Sequence, residues 1–182
     1  MDAKTLKSEL TLAAIVDAGL ALVAEQGLVA LSLQAVADRS GVSKSGVFSR
    51  IGTRLALQKA VVEEYGKRFA AEVFVPALSQ PAGLPRLTDI VARWIARTRD
   101  VDAHSACVYS AGAHELDDRE GELRDFLLGE VQRWRAMLCR TVMQAVKAGH
   151  LRADTDPEQL VGELYALILG LLHDARFLRD KH

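Results

Sequence analysis

Two serines, Ser32 and Ser43, each open a short helical pattern, and Gly41 stands between the patterns. This punctuation constrains the chain more tightly than any other stretch. Ser32 offers a side-chain oxygen as N-cap, Leu33, Val36 and Ala37 give the first pattern an apolar stripe, and Gly41 supplies the permissive backbone of a tight turn. Val42 then plugs the corner. Ser43 caps a second helix whose outer face carries Lys44, Ser45, Ser49 and Arg50, with Val47 and Phe48 facing inward. Two short helices meeting at a glycine turn, the second lined with hydrogen-bond donors, have the form of a helix that enters a major groove.

The surrounding residues make the pattern specific. Leu22-Val23-Ala24-Glu25-Gln26-Gly27, Val36-Ala37, Gly41-Val42-Ser43-Lys44, Phe48 and Leu55-Ala56-Leu57 fall in an order and spacing that resemble the N-terminal domain of tetracycline-repressor (TetR) family regulators, over about residues 11 to 62. The resemblance implies an all-α fold, with a three-helix helix-turn-helix DNA-binding domain (1–55) followed by a helical effector-binding and dimerisation domain (56–182). It implies contact with double-stranded operator DNA through Gln34, Ser43, Lys44, Ser45, Gly46, Phe48, Ser49, Arg50, Thr53 and Arg54. Ser45 and Arg50 are the candidate base-edge readers, and Gln34, Lys44, Thr53 and Arg54 the candidate phosphate contacts. Gly46 costs about 1 kcal/mol of helix propensity against Ala, which close backbone approach to DNA would compensate. Three departures stand out. Phe48 occupies the usual place of a Tyr, Arg50-Ile51 replaces a His-Phe pair and moves phosphate anchoring to Arg50, and Thr53-Arg54 replaces Ser-Lys while keeping an N-cap and a cation. Ala35 removes the acidic capping-box partner of Ser32.

The net charge of −1 on 182 residues argues against a general nucleic-acid binder, so the distribution matters. Residues 1–60 hold Lys4, Lys7, Arg39, Lys44, Arg50, Arg54 and Lys59 against Asp2, Glu9, Asp17, Glu25 and Asp38, a small local excess of +2. Such a patch predicts modest non-specific affinity and leaves specific binding to two half-sites read by a dimer. A longest apolar run of nine residues, Leu164 to Leu172, is too short for a bilayer, and no basic-then-apolar leader opens the chain. With only Cys107 and Cys139, a disulfide framework is not indicated, and the expectation is a cytoplasmic protein without membrane partners.

Apolar residues recur at helical spacing from end to end and strand signals are nearly absent. The spacing predicts a helix over about Lys7 to Gln26, with Leu12, Ile15, Gly19, Leu22 and Val23 on one face, and a long one from Thr53 to about Val75. A break follows over Pro76 to Pro85, which holds three of the four prolines. Further helices are predicted with the stripe Leu87, Ile90, Val91, Trp94 and Ile95, over Ala103 to Leu116, and from Leu123 to Gly149. A last helix is capped by Asp156, with Pro157 in the first turn and Gln159 placed for a capping box. That helix is apolar around most of its circumference. It is either the central helix of its own domain or a self-association surface, for which Trp134, Leu138, Leu160, Leu164, Ile168 and Leu171 are the candidates.

Trp94, Cys107, Tyr109, His114, Met137 and Tyr165 are candidate ligand-pocket residues, since TetR-like regulators bind a small-molecule effector between the helices there; each is equally at home in a core. A metal site from His104, Cys107, His114 and His173 lacks any pair at i, i+4 spacing, and neither a cofactor nor a catalytic constellation is indicated. The combined expectation is a homodimeric, ligand-responsive repressor that binds a pseudopalindromic operator and is released by its effector. Two rivals stand beside it: a helical ligand-binding or scaffolding protein that no longer grips DNA, and a thiol-dependent redox switch at Cys107.

Overall fold

In the computed structural model, which describes residues 3–100 and 107–179, eight α-helices make up the described fold and no strand occurs among those residues. They are α1 (Ala3–Gln26), α2 (Leu33–Ser40), α3 (Lys44–Ile51), α4 (Arg54–Phe69), α5 (Leu84–Arg99), α6 (Val108–Leu116), α7 (Glu122–Lys147) and α8 (Pro157–His173). The all-α expectation holds. His104 and the start of the helix expected from Ala103 lie outside the described residues.

The chain packs as two units. One combines Met1–Gly66 with His104–Glu130, and the other combines Lys67–Ala103 with Val131–His182. Packing therefore does not divide the chain between residues 55 and 56. The first unit keeps most of α4 and adds α6 and the beginning of α7. The reason is visible in the first unit's core, where Leu57, Val61 and Val62 of α4 are fully buried together with Ile15 and Val23 of α1. At Gly19 the two helices pack closely, because a Cβ there would stand 2.5 Å from the Val61 side chain. Each of these aliphatic side chains contributes about 1.5–3 kcal/mol by leaving water. Leu12, expected on the same apolar face of α1, is instead exposed.

In the second unit the core is built by Val73, Leu87, Ile90, Trp94, Trp134, Leu138, Val142, Val161 and Ile168. The long helix expected to reach Val75 does so in two forms: α4 passes at Phe69 directly into a π-helical turn, Ala70–Phe74, closed by Val75 N–H donating to the Ala70 carbonyl at 2.8 Å. The proline-rich break is a 3-10 turn, Pro76–Ser79, and a tight corner at Gly83, whose φ of 102° admits few side chains. Asp156 caps α8 as expected, accepting from the Glu158 and Gln159 amides. The predicted capping box is not closed, however, because the Gln159 side chain turns along the helix and donates to Glu163 at 2.9 Å.

Candidate nucleic-acid interface

Local capping shapes the reading head. Ser32 accepts from Ala35 N at 3.1 Å to start α2, and Gly41, at φ 70°, closes that helix by donating to the Ala37 carbonyl. Ser43 starts α3 by accepting from Gly46 N at 3.1 Å, and Thr53 starts α4 by accepting from Ala56 N at 3.1 Å. Each cap contributes about 1 kcal/mol, which adds to the packing that α2 and α3, at eight residues each, need to persist. Val36 and Val47, both fully buried, fix the inner faces. The opposite face of α3 is then set by helical geometry, and Ser43, Lys44, Ser45, Phe48, Ser49 and Arg50 are all exposed, with Gly46 half-buried among them.

The structure brings these side chains together on one short helix and shows how their donors rest. Ser49 donates to the Gly46 carbonyl at 3.0 Å, Arg50 Nη1 donates to the same carbonyl at 3.2 Å, and the Ser43 and Ser45 hydroxyls lie 3.2 Å apart. Such exposed bonds are worth about 0.5–1.5 kcal/mol each, so they exchange readily for another acceptor. Gln34, on α2, donates to Asp38 at 2.7 Å.

One expectation is corrected. Phe48 does not face inward: 60% of it is exposed on the outer face, because Val47 alone fills the inner position. Arg54 is engaged within its own chain. Its Nε donates to the Leu31 carbonyl at 2.8 Å and its Nη2 to the Val29 carbonyl, so the guanidinium ties down the segment between α1 and α2. Arg39 is also engaged, in a two-pronged pair with Glu25 (2.9 and 2.6 Å), whose carboxylate raises the Arg39 pKa. The cations left on the outer face of α3 are Lys44 and Arg50.

Sequence reasoning missed the residue that completes this arrangement. Glu115, on α6, accepts from the backbone amides of Leu28 and Val29 at 2.8 and 2.7 Å, while Gln58 donates to the Leu28 carbonyl at 2.9 Å. Gly27, at φ 88°, lets the carboxylate approach: a Cβ there would sit 2.6 Å from Glu115 Oε1. The segment leading from α1 to α2 is thus held at both its donors and its acceptors. No local signal marks Glu115, since its partners are 86 and 87 positions away in sequence.

The other expected sites are redistributed. Of the six pocket candidates, Trp94, Met137 and Tyr165 belong to the second unit, and Cys107, Tyr109 and His114 to the first. Tyr109 is buried with its ring edge-on to Tyr65 at 5.0 Å, and His114 is exposed. Of the six self-association candidates, Trp134, Leu138 and Ile168 are buried by their own chain and cannot also face a partner. Leu160, Leu164 and Leu171 are half-buried, whereas the apolar side chains that do face outward along α8 and the turn after it are Leu167, Leu169, Phe177 and Leu178. No cluster of three His, Cys, Asp or Glu able to hold a metal occurs among the described residues, and no helix of theirs is long and apolar enough to cross a membrane.

An all-helical chain with a capped helix-turn-helix at its N-terminal end is a DNA-binding regulator in form. Its residues 15–61 match the family described as bacterial regulatory proteins, tetR family, and residues 83–182 match the tetracyclin repressor-like C-terminal domain. The chain therefore belongs to the TetR family and is a ligand-responsive, DNA-binding transcription regulator. Solved structures agree on the fold. A TetR-family regulator from Cytophaga hutchinsonii superposes with a TM-score of 0.80 at 18% identity, covering 96% of this chain and 88% of that one. A TetR-family regulator from Rhodococcus sp. gives 0.72 at 22% identity, covering 89% and 85%. AibR, solved in complex with isovaleryl coenzyme A and operator DNA, gives 0.71 at 19% identity over the same 89% and 85%. No curated protein matches the chain.

Proposed function

We propose that this regulator is a homodimeric repressor that reads a pseudopalindromic operator through α3 and lets go when a small molecule occupies its helical second unit. One observation carries the reading: α3 is capped by Ser43 and anchored by Val47, and it turns Lys44, Ser45, Phe48, Ser49 and Arg50 outward together. Arg50 and Ser45 read base edges, and Lys44, Gln34 and Thr53 meet phosphate. Self-association is supported by the outward apolar side chains of α8 and its following turn, above all Leu167 (72% exposed) and Phe177 (77% exposed), with Leu160, Leu164 and Leu171 at their margin. The complex of AibR with an acyl-coenzyme A and operator DNA shows that this fold accommodates both partners in a relative.

Release follows from linkage: a ligand that prefers the conformation with misplaced recognition helices weakens DNA binding by its differential affinity for the two states. The test is Arg50→Ala in a mobility-shift assay on a selected operator, which should weaken binding and relax sequence preference at one position per half-site. Unchanged affinity and preference would remove Arg50 from the reading. Sedimentation of Leu167→Glu should show monomers where the wild type shows dimers.

A further inference from the structure

Four aromatic rings of the second unit meet edge to face. Phe69 lies 4.7 Å from Trp134 and 5.9 Å from Trp94, Trp94 lies 5.3 Å from Trp134, and Tyr165 closes the group 5.4 Å from Trp94, all at interplanar angles of 71–86°. Trp134 is only 5% exposed, and among the described residues its indole Nε1 is the one buried side-chain nitrogen or oxygen without a hydrogen-bond partner. An indole N–H only donates, so what it lacks is an acceptor. Two guanidinium groups flank the rings. Arg97 stands over Phe69 and is paired with Glu72, whereas Arg135 stands over Tyr165, 5.2 Å from its centroid, with no carboxylate partner among the described residues. Gly162 lies next to this guanidinium: a Cβ added there would meet only Arg135 Nη2, in ordinary contact at 3.7 Å.

We infer that this cluster is the effector site and that its ligand is an aromatic carboxylate, one oxygen of which accepts from the Trp134 indole N–H. The inference rests on the ligand-responsive reading and gives it a chemistry. Each part of the ligand answers one feature: a ring extends the edge-to-face stack, an acceptor satisfies the orphaned donor, and a negative charge is drawn by Arg135. Trp134 thereby moves from a self-association candidate to the donor that orients the effector. Burial makes the donor selective, because a ligand without an acceptor leaves it unsatisfied.

The chain's two tryptophans are both in the cluster, so its intrinsic indole emission reports on this site alone. Titration of the purified full chain with benzoate and with phenylacetate should give a saturable change in emission, and phenylacetamide should bind more weakly. Trp134→Phe keeps the ring and removes the donor. Read through Trp94, it should lose about 10- to 100-fold in affinity, the range for a hydrogen bond to a charged group. Should that variant fail to fold, Arg135→Gln supplies the second reading, with weaker binding of the acids and unchanged binding of the amide. No saturable change with either acid up to millimolar concentration would overturn the inference, as would undiminished affinity in Trp134→Phe, which would leave the indole N–H satisfied by the face of a neighbouring ring. A parallel mobility shift separates the two claims. A protein that binds DNA yet ignores both acids loses only the effector chemistry, whereas one that binds no DNA loses the regulator reading itself.

Discussion

Replacing Glu115 by Ala removes one carboxylate and strands two backbone donors. The Leu28 amide, on a fully buried residue, and the Val29 amide, on a half-buried one, both donate to Glu115, at 2.8 and 2.7 Å. Hydrogen bonds to a charged acceptor are worth about 1.5–3 kcal/mol each, and partial exposure argues for the lower half of that range, giving about 3–4.5 kcal/mol for the pair. For a chain of this size, roughly 2–4 °C of melting temperature accompanies each kcal/mol, so thermal unfolding followed by circular dichroism should shift down by roughly 6–18 °C. Glu115→Gln should be nearly as harmful. It keeps one acceptor oxygen and turns an amide NH2 toward the second backbone N–H, donor against donor. A melting temperature for Glu115→Ala within about 1 °C of wild type would show that the clamp adds nothing, and a wild-type value for Glu115→Gln would show that charge and a second acceptor are irrelevant.

Three further outcomes follow from the same geometry. Lys44→Met should reduce the salt slope of operator binding by about 1.8, about 0.9 for the counterion released by each protomer, whereas Arg54→Met should leave the slope alone and lower thermal stability, because its guanidinium serves the Val29 and Leu31 carbonyls; a reduced slope in Arg54→Met would restore it as a phosphate contact. Phe48, apolar and exposed on the outer face of α3, should contact a thymine methyl, so uracil in place of one thymine per half-site should weaken wild-type binding about 15-fold, about fourfold for each half-site, and Phe48→Ala binding not at all; equal losses in both proteins would refute the contact. Burial, reinforced by Glu158, pushes the Cys139 thiol pKa up, so alkylation of native protein near neutral pH should be slow there and accelerate on unfolding, and rapid native labelling of Cys139 would contradict the packing.

The first sixty residues were readable because their constraints are local. An N-cap serine, a turn glycine and a stripe of valines act within a few positions of one another, and Ser32, Gly41 and Ser43 do in the structure what their spacing predicts. Side-chain direction on an eight-residue helix was less legible, since Val47 and Phe48 are adjacent apolar residues and only packing decides that the first is buried and the second exposed. Long-range partners left no trace in sequence. Arg54 looked like a cation for phosphate because its carbonyl partners lie 23 and 25 positions upstream, and Glu115 looked like an ordinary helical carboxylate. The apolar periodicity of α7 and α8 announced that something is covered without saying by what. Trp134, Leu138 and Ile168 turned out to be covered by their own chain, and Leu167 and Phe177 to face outward.

The central claim is that α3 reads DNA as one of a symmetric pair. Selection of bound sequences from a random double-stranded pool by the purified protein, followed by titration of the winner at two salt concentrations, tests it most directly. A palindromic consensus bound at nanomolar affinity, with a clear loss on raising the salt, is the predicted result. No consensus, with weak binding that is blind to sequence and flat in salt, would contradict it.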